Sequence, residues 1–148
     1  MRHWLWISAR AILIGWPTLI AITLLLERPL LLGTARLLGA SWFPTARLAL
    51  ACAGLAATGW VIGRLHRSEP ILAVLVFAAT LTLWDFDALL AINVPWLLRL
   101  AADALRDPLY FDSLVTTAGS HVLLFGSLIA GGFLSRPSAA PPSILSAL

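Results

Sequence analysis

The stretch Pro70–Ile92, PILAVLVFAATLTLWDFDALLAI, decides the fold. Crossing the hydrocarbon core takes about 20 mostly apolar residues, and this segment reaches that length only with Asp85 and Asp87 inside it. Stopped at Trp84, it runs 14 residues beyond the proline and falls short. The same length test picks out three more stretches: Trp4–Leu26, Arg47–Leu65 and Ser113–Leu134. The expectation is an all-α integral membrane protein, a four-transmembrane-helix bundle with spans at about 4–26, 47–65, 70–92 and 113–134.

The composition agrees with that reading. The chain is 60% hydrophobic and 11% charged, whereas a soluble domain carries about a quarter charged residues. Its mean hydropathy is +0.93. A 148-residue soluble fold with so many apolar side chains would expose large patches that lipid tolerates and water does not.

The connectors carry their own pattern. Glu27-Arg28-Pro29 reads as a helix stop, and Leu30–Ala40 is apolar but too short to cross, so it is expected at the interface or as a re-entrant segment. Trp16-Pro17 is expected to kink the first span. Arg64 to Glu69 reads as a tight charged turn. Over residues 95–107, Arg99, Asp103, Arg106 and Asp107 fall on one helical face and Leu97, Leu98, Ala101, Ala104 and Leu105 on the other. That pattern predicts an amphipathic surface helix between spans 3 and 4, with Arg99 and Asp103 paired across one turn. Residues 1–134 are expected as a single domain, and residues 135–148, rich in Ser, Pro and Ala, as a flexible tail. Arg10 interrupts the first apolar run and no small-x-small site follows it cleanly, so this run is expected to stay as a helix.

The +3 charge comes from ten arginines and no lysine, scattered singly between apolar runs. That distribution argues against nucleic-acid binding. The arginines divide five against five between the two sides, and the short Arg64/Arg67 turn tips both termini toward the cytoplasm of a bacterial inner membrane.

Ionisable groups within a membrane are costly, and each needs a function or an escape route. Arg10 can snorkel to the headgroups. Asp85 and Asp87 sit either in the headgroup region behind Trp84 or inside the bundle; two residues apart on a helix, they point about 200° from each other and disfavour a shared metal site. At 1.5 Å per residue, Asp85 lies roughly 10 Å from the Ile92 end of its span and His121 roughly 12 Å from the Ser113 end of the next, which opens on the same side. Asp85 and His121, with Arg47 on that side and Thr116, Thr117 and Ser120 nearby, form the candidate intramembrane polar site. The plainer reading of His121 is a packing histidine bonded to a neighbouring carbonyl or hydroxyl. Neither haem nor any other cofactor is expected, since no second histidine shares the level of His121. The lone Cys52 reads as a small buried hydrophobe.

Small residues supply the packing signal: Gly59-x-x-x-Gly63 and Ala49, Ala53 and Ala57 on the second span, and Gly126-x-x-x-Ala130 and Ser127-x-x-x-Gly131 on the fourth. The positions Asp87, Asn93, Asp112 and Gly119, within about a fifth of the chain, resemble the segment that opens many membrane phosphatases of the phosphatidic-acid-phosphatase type 2 family. That family works through a lysine and an Arg-Pro, a Pro-Ser-Gly-His box, and a Ser-Arg followed by a distal His and Asp. Here there is no lysine and no such box, and Ser135-Arg136-Pro137 stands without the rest, so the resemblance implies no phosphatase chemistry.

Three functions follow in order. The first is a non-catalytic membrane subunit that assembles with and stabilises a larger membrane protein complex, its partners being the lipid bilayer and other integral membrane proteins. The second is a small proton-coupled transporter or channel in which Asp85 or His121 titrates. The third, a lipid-modifying enzyme, lacks a visible nucleophile or ligand set.

Overall fold

A computed structural model of the chain describes residues 2–82 and 94–136. Every element among them is helical: α1 (Arg2–Ile22), a π turn (Thr23–Glu27), α2 (Arg28–Leu38), a 3-10 turn (Ala40–Trp42), α3 (Phe43–Leu65), α4 (Pro70–Thr82), α5 (Val94–Ala104), a second 3-10 turn (Pro108–Tyr110) and α6 (Phe111–Leu134). Three helical runs are long and apolar enough to cross a membrane: His3–Leu37, Phe43–Leu65 and Pro108–Leu134. Pro70–Thr82 is a shorter apolar helix of 13 residues. The remainder of the expected third span, including Asp85 and Asp87, lies outside the described residues, as does the tail from residue 137.

The first run differs from expectation. Glu27-Arg28-Pro29 does not stop the helix; α1, the π turn and α2 join into 35 continuous helical residues from His3 to Leu37, about 52 Å at 1.5 Å per residue. In a regular α-helix the Pro29 ring would press on the carbonyl of Leu25, and its missing N–H would break the ladder. The π turn widens the helix over Thr23–Glu27, just before that point, and Pro29 then falls at the first turn of α2, where its missing donor costs nothing. Pro17 is likewise carried inside α1. The run ends at Gly39, whose φ of 86° is a conformation that favours glycine, and the chain reverses into α3.

α1, α3, α4 and α6 pack on one another, with α3 against α6 the most extensive pairing. These two run in the same direction. Leu48 and Ala51 face Ser120 and Leu124 near one end, and Gly63 lies against Ser135 at the other. Leu55, Ile62, Val74, Phe77, Leu81, Leu124 and Leu128 are fully buried between the helices. The Phe77 ring lies over Gly15 and meets Trp16 edge-on, with centroids 5.6 Å apart and planes at 70°. Outward, large apolar side chains such as Leu13, Leu25, Leu75, Val122 and Phe133 are exposed, a surface compatible with contact with lipid tails.

Small residues explain how close α3 and α6 come. A side chain at Gly59 would overlap the Leu128 carbonyl oxygen, one at Gly131 the Ala56 carbonyl oxygen, and one at Gly63 the Ser135 hydroxyl. Gly126, Ala130 and Ala53, expected as helix-packing positions, are exposed in the packing of this chain, and a Cβ at Gly126 would meet nothing within 4 Å. Helical geometry gives the reason, because the inward stripe on α3 is Ala51, Gly54, Leu55, Thr58, Gly59, Ile62 and Gly63, which leaves Ala49, Ala53 and Ala57 on the opposite side.

α5 buries Leu100 and turns Val94, Leu97, Ala101 and Ala104 inward, while Leu98 and Leu105 are exposed, contrary to the expected faces. The expected Arg99–Asp103 ion pair is not formed, His3–Glu69 being the ion pair among the described residues. Both side chains are exposed, where such a pair contributes at most about 1 kcal/mol. Ser135, expected in a flexible tail, is buried and donates from its hydroxyl to the Gly132 carbonyl at 2.6 Å.

The helix contact gives a direct test. Gly59→Val, which forces the α3 and α6 backbones apart, is expected to destabilise the protein by about 1–3 kcal/mol or more; Gly126→Val should stay within about 0.5 kcal/mol of the parent. Chemical denaturation in detergent micelles, followed by circular dichroism, checks both.

Candidate functional site

Of the polar residues singled out from the sequence, Asp85 and Asp87 lie outside the described residues. His121 and Arg47 are described, at the same end of the α3–α6 pair. His121 is 5% exposed, and its Nδ1 is 2.8 Å from the Thr117 carbonyl of its own helix. A carbonyl only accepts, so Nδ1 carries the hydrogen and, in the neutral ring, Nε2 is the acceptor.

Arg47 is half-buried near the start of α3 and lines a groove of about 370 Å³ between α3 and α6. Thr45, Thr116 and Ser120 line it beside Arg47, with Leu48 and Leu124 among its apolar walls. The Thr116 hydroxyl donates to the Asp112 carbonyl at 2.9 Å and the Ser120 hydroxyl to the Thr116 carbonyl at 3.0 Å. With their hydrogens so used, these oxygens present lone pairs to the groove. The structure therefore brings Arg47 to Thr116 and Ser120 and leaves His121 in the adjoining packing, one residue further along α6.

A second polar locus was missed in the sequence. Thr23 and Glu27, the first and last residues of the π turn, both face inward, 3% and 8% exposed. The carboxyl group of Glu27 occupies the space that a side chain at Gly54 would fill, with the Ile22 side chain beside it. Gly54 is the central residue of α3, 11 positions from Phe43 and 11 from Leu65. The Thr23 hydroxyl lies beside that carboxyl. Even so, Glu27 Oε1 and Thr23 Oγ1 are buried without a hydrogen-bond partner of good geometry. The signal was present in the sequence as a lone acid between Leu24-Leu25-Leu26 and Leu30-Leu31-Leu32. Reading Pro29 as a stop hid it.

The opposite end of the packing is basic. Arg64, Arg67 and Arg136 surround a cavity of about 150 Å³ that also touches Ser135 and Pro70. Arg64 lies over the Trp60 ring at 5.7 Å and Arg136 over the Phe133 ring at 4.8 Å. Arg10, further into α1, reaches back over Trp6 at 5.0 Å, the direction that carries its charge toward the helix end. His3 meets Glu69 at 3.4 Å and ties the start of α1 to the same turn. His66 is buried there, its Nδ1 donating to the Ile62 carbonyl at 2.9 Å. Among the described residues, no three His, Cys, Asp or Glu side chains gather as a metal site.

Compared with known protein families, with curated proteins and with solved structures, the chain matches none, the phosphatase family that Asp87 to Gly119 resembles included.

The contact at the centre of α3 predicts a coupled pair. Gly54→Val would overlap the Glu27 carboxyl group and is expected to cost about 1–3 kcal/mol. In the Glu27→Ala background the same change should cost less, with a coupling of about 0.5–3 kcal/mol in a double-mutant cycle measured by denaturation in micelles.

Proposed function

We propose that the chain is a non-catalytic integral membrane subunit that assembles with and stabilises a larger membrane protein complex. The observation that carries this reading is the pair of outward-facing small-residue stripes: Ala49, Ala53 and Ala57 on α3, and Gly119, Gly126 and Ala130 on α6. Internal packing does not use them. Without a hydrophobic drive between helices in lipid, small residues on an outer face are what allow a neighbouring helix backbone to approach closely.

In this reading the protein has four spans, α4 beginning the third, and α5 lies along the membrane surface with its apolar stripe inward. Both termini are on the side of the Arg64, Arg67 and Arg136 cluster, the cytoplasmic side of a bacterial inner membrane; the gathering of arginines around a short turn supports that orientation. A small proton-coupled transporter or channel is the second reading. Asp85 and His121 are its candidate titrating groups, and the burial of Glu27 at the middle of α3 is the observation that favours it.

Purification of the tagged protein from its native membrane in mild detergent, with mass spectrometry of what accompanies it, tests the first reading. Larger membrane proteins are expected in stoichiometric amounts, and the substitutions Ala53→Leu and Gly126→Leu should release them while leaving the helical content unchanged. Recovery of homo-oligomers alone would overturn the subunit reading and direct attention to proton flux.

A further inference from the structure

We propose that Glu27 and Thr23 form a binding site for a monovalent cation, a proton or a sodium ion, in the interior of the helix packing. This goes beyond the assembly reading, which concerns the outward faces of α3 and α6. It starts from an imbalance. A carboxylate offers only acceptors; Glu27 Oε1 is enclosed without a hydrogen-bond partner of good geometry, and the Thr23 hydroxyl beside the carboxyl group is likewise unsatisfied.

Among the described residues, no ion pair reaches that carboxyl group. On the helices packed against the π turn, the described titratable groups are His3 and Arg10 of α1, Arg28 and Arg36 of α2, and Arg47, Cys52 and Arg64 of α3; α4 has none from Pro70 to Thr82. None of them reaches Glu27 Oε1. Arg28, the nearest in sequence, points about 100° away around the helix and is exposed. An ionised carboxylate enclosed without a partner is strongly disfavoured, and a bound cation removes that penalty.

The local structure suits such a ligand in three ways. The π turn sets Thr23 and Glu27, four residues apart, on one inward face; interruptions of this kind recur at functional sites. The absence of a side chain at Gly54 leaves room for the carboxyl group on α3. A hydroxyl beside the carboxyl group serves either cation, donating to a carboxylate that holds sodium or accepting from the protonated acid.

The test uses the full-length protein in phosphatidylcholine nanodiscs and dicyclohexylcarbodiimide, which adds to protonated carboxyl groups in apolar surroundings; peptide mass spectrometry locates the label. If the cation is a proton, labelling of Glu27 falls about tenfold per pH unit above its midpoint and is the same in sodium and choline chloride. If it is sodium, labelling at a fixed pH falls at least about fivefold when sodium replaces choline, the protection expected of a bound competitor. Glu69, half-buried beside His3, gives the background. A second measurement covers the case in which the reagent cannot enter. The thermal unfolding midpoint of the parent should rise with the concentration of the bound cation more steeply than that of Glu27→Gln. Labelling of Glu27 indifferent to pH and sodium overturns the proposal. So does parallel thermal behaviour of parent and Glu27→Gln with Glu27 unlabelled.

Discussion

The close approach of α3 and α6 is the contact on which the rest of the arrangement depends. Their backbones meet where Gly59 faces the Leu128 carbonyl and Gly131 faces the Ala56 carbonyl. In lipid, apolar side chains gain little by leaving one hydrocarbon surface for another, so helices hold together by packing at short range and by polar contacts. Two glycine surfaces that fit permit that packing, and the parallel sense of the pair follows from the chain reversing through α4 between them. α1 and α4 then fill the remaining sides, with Phe77 settled over Gly15 and against Trp16. Glycine acts here through the volume it leaves free, and Gly39 is the one described position where it also supplies a positive φ.

A second constraint acts along the first helical run. Two prolines, Pro17 and Pro29, sit in a 35-residue helix, and in water either one would be expected to end or kink it. The π turn before Pro29 keeps the run continuous and, by adding a residue to one turn, sets the faces that follow. The same irregularity turns Thr23 and Glu27 inward onto α3, so accommodation of a proline and burial of an acid come from one local feature. The two ends of the packing contrast with this interior: Arg64, Arg67 and Arg136 lean on aromatic rings or a polar cavity at one end, and Arg47 lies among hydroxyls at the other.

Much of the helical layout was legible in the sequence. The second and fourth expected spans, 47–65 and 113–134, match α3 and α6 to within four residues at their starts and coincide with them at their ends, because long apolar runs bounded by charged or proline-containing segments leave few alternatives. The segment 95–107, expected as a helix, overlaps α5, Val94–Ala104, which ends three residues earlier. Proline misled at position 29, where the rule assumes a regular α ladder and the chain instead changes its turn. At Ala53, Gly126 and Ala130 the small-residue spacing left the neighbour open, since spacing of four shows that residues share a face without showing which face is turned inward.

What the sequence by itself determined is therefore the helical class and the presence of runs long and apolar enough to cross a membrane. Its apolar runs are of span length, most of its charges fall near or between their ends, and helices are the structure that satisfies every backbone group in lipid. What only the tertiary structure decided is the neighbour of each face: Gly59 and Gly63 against α6, Ala53 and Gly126 outward, and Glu27 against the middle of α3. The physical reason is that a helix's composition fixes its own periodicity, while rotation about its axis and depth along it depend on side chains far away in the chain.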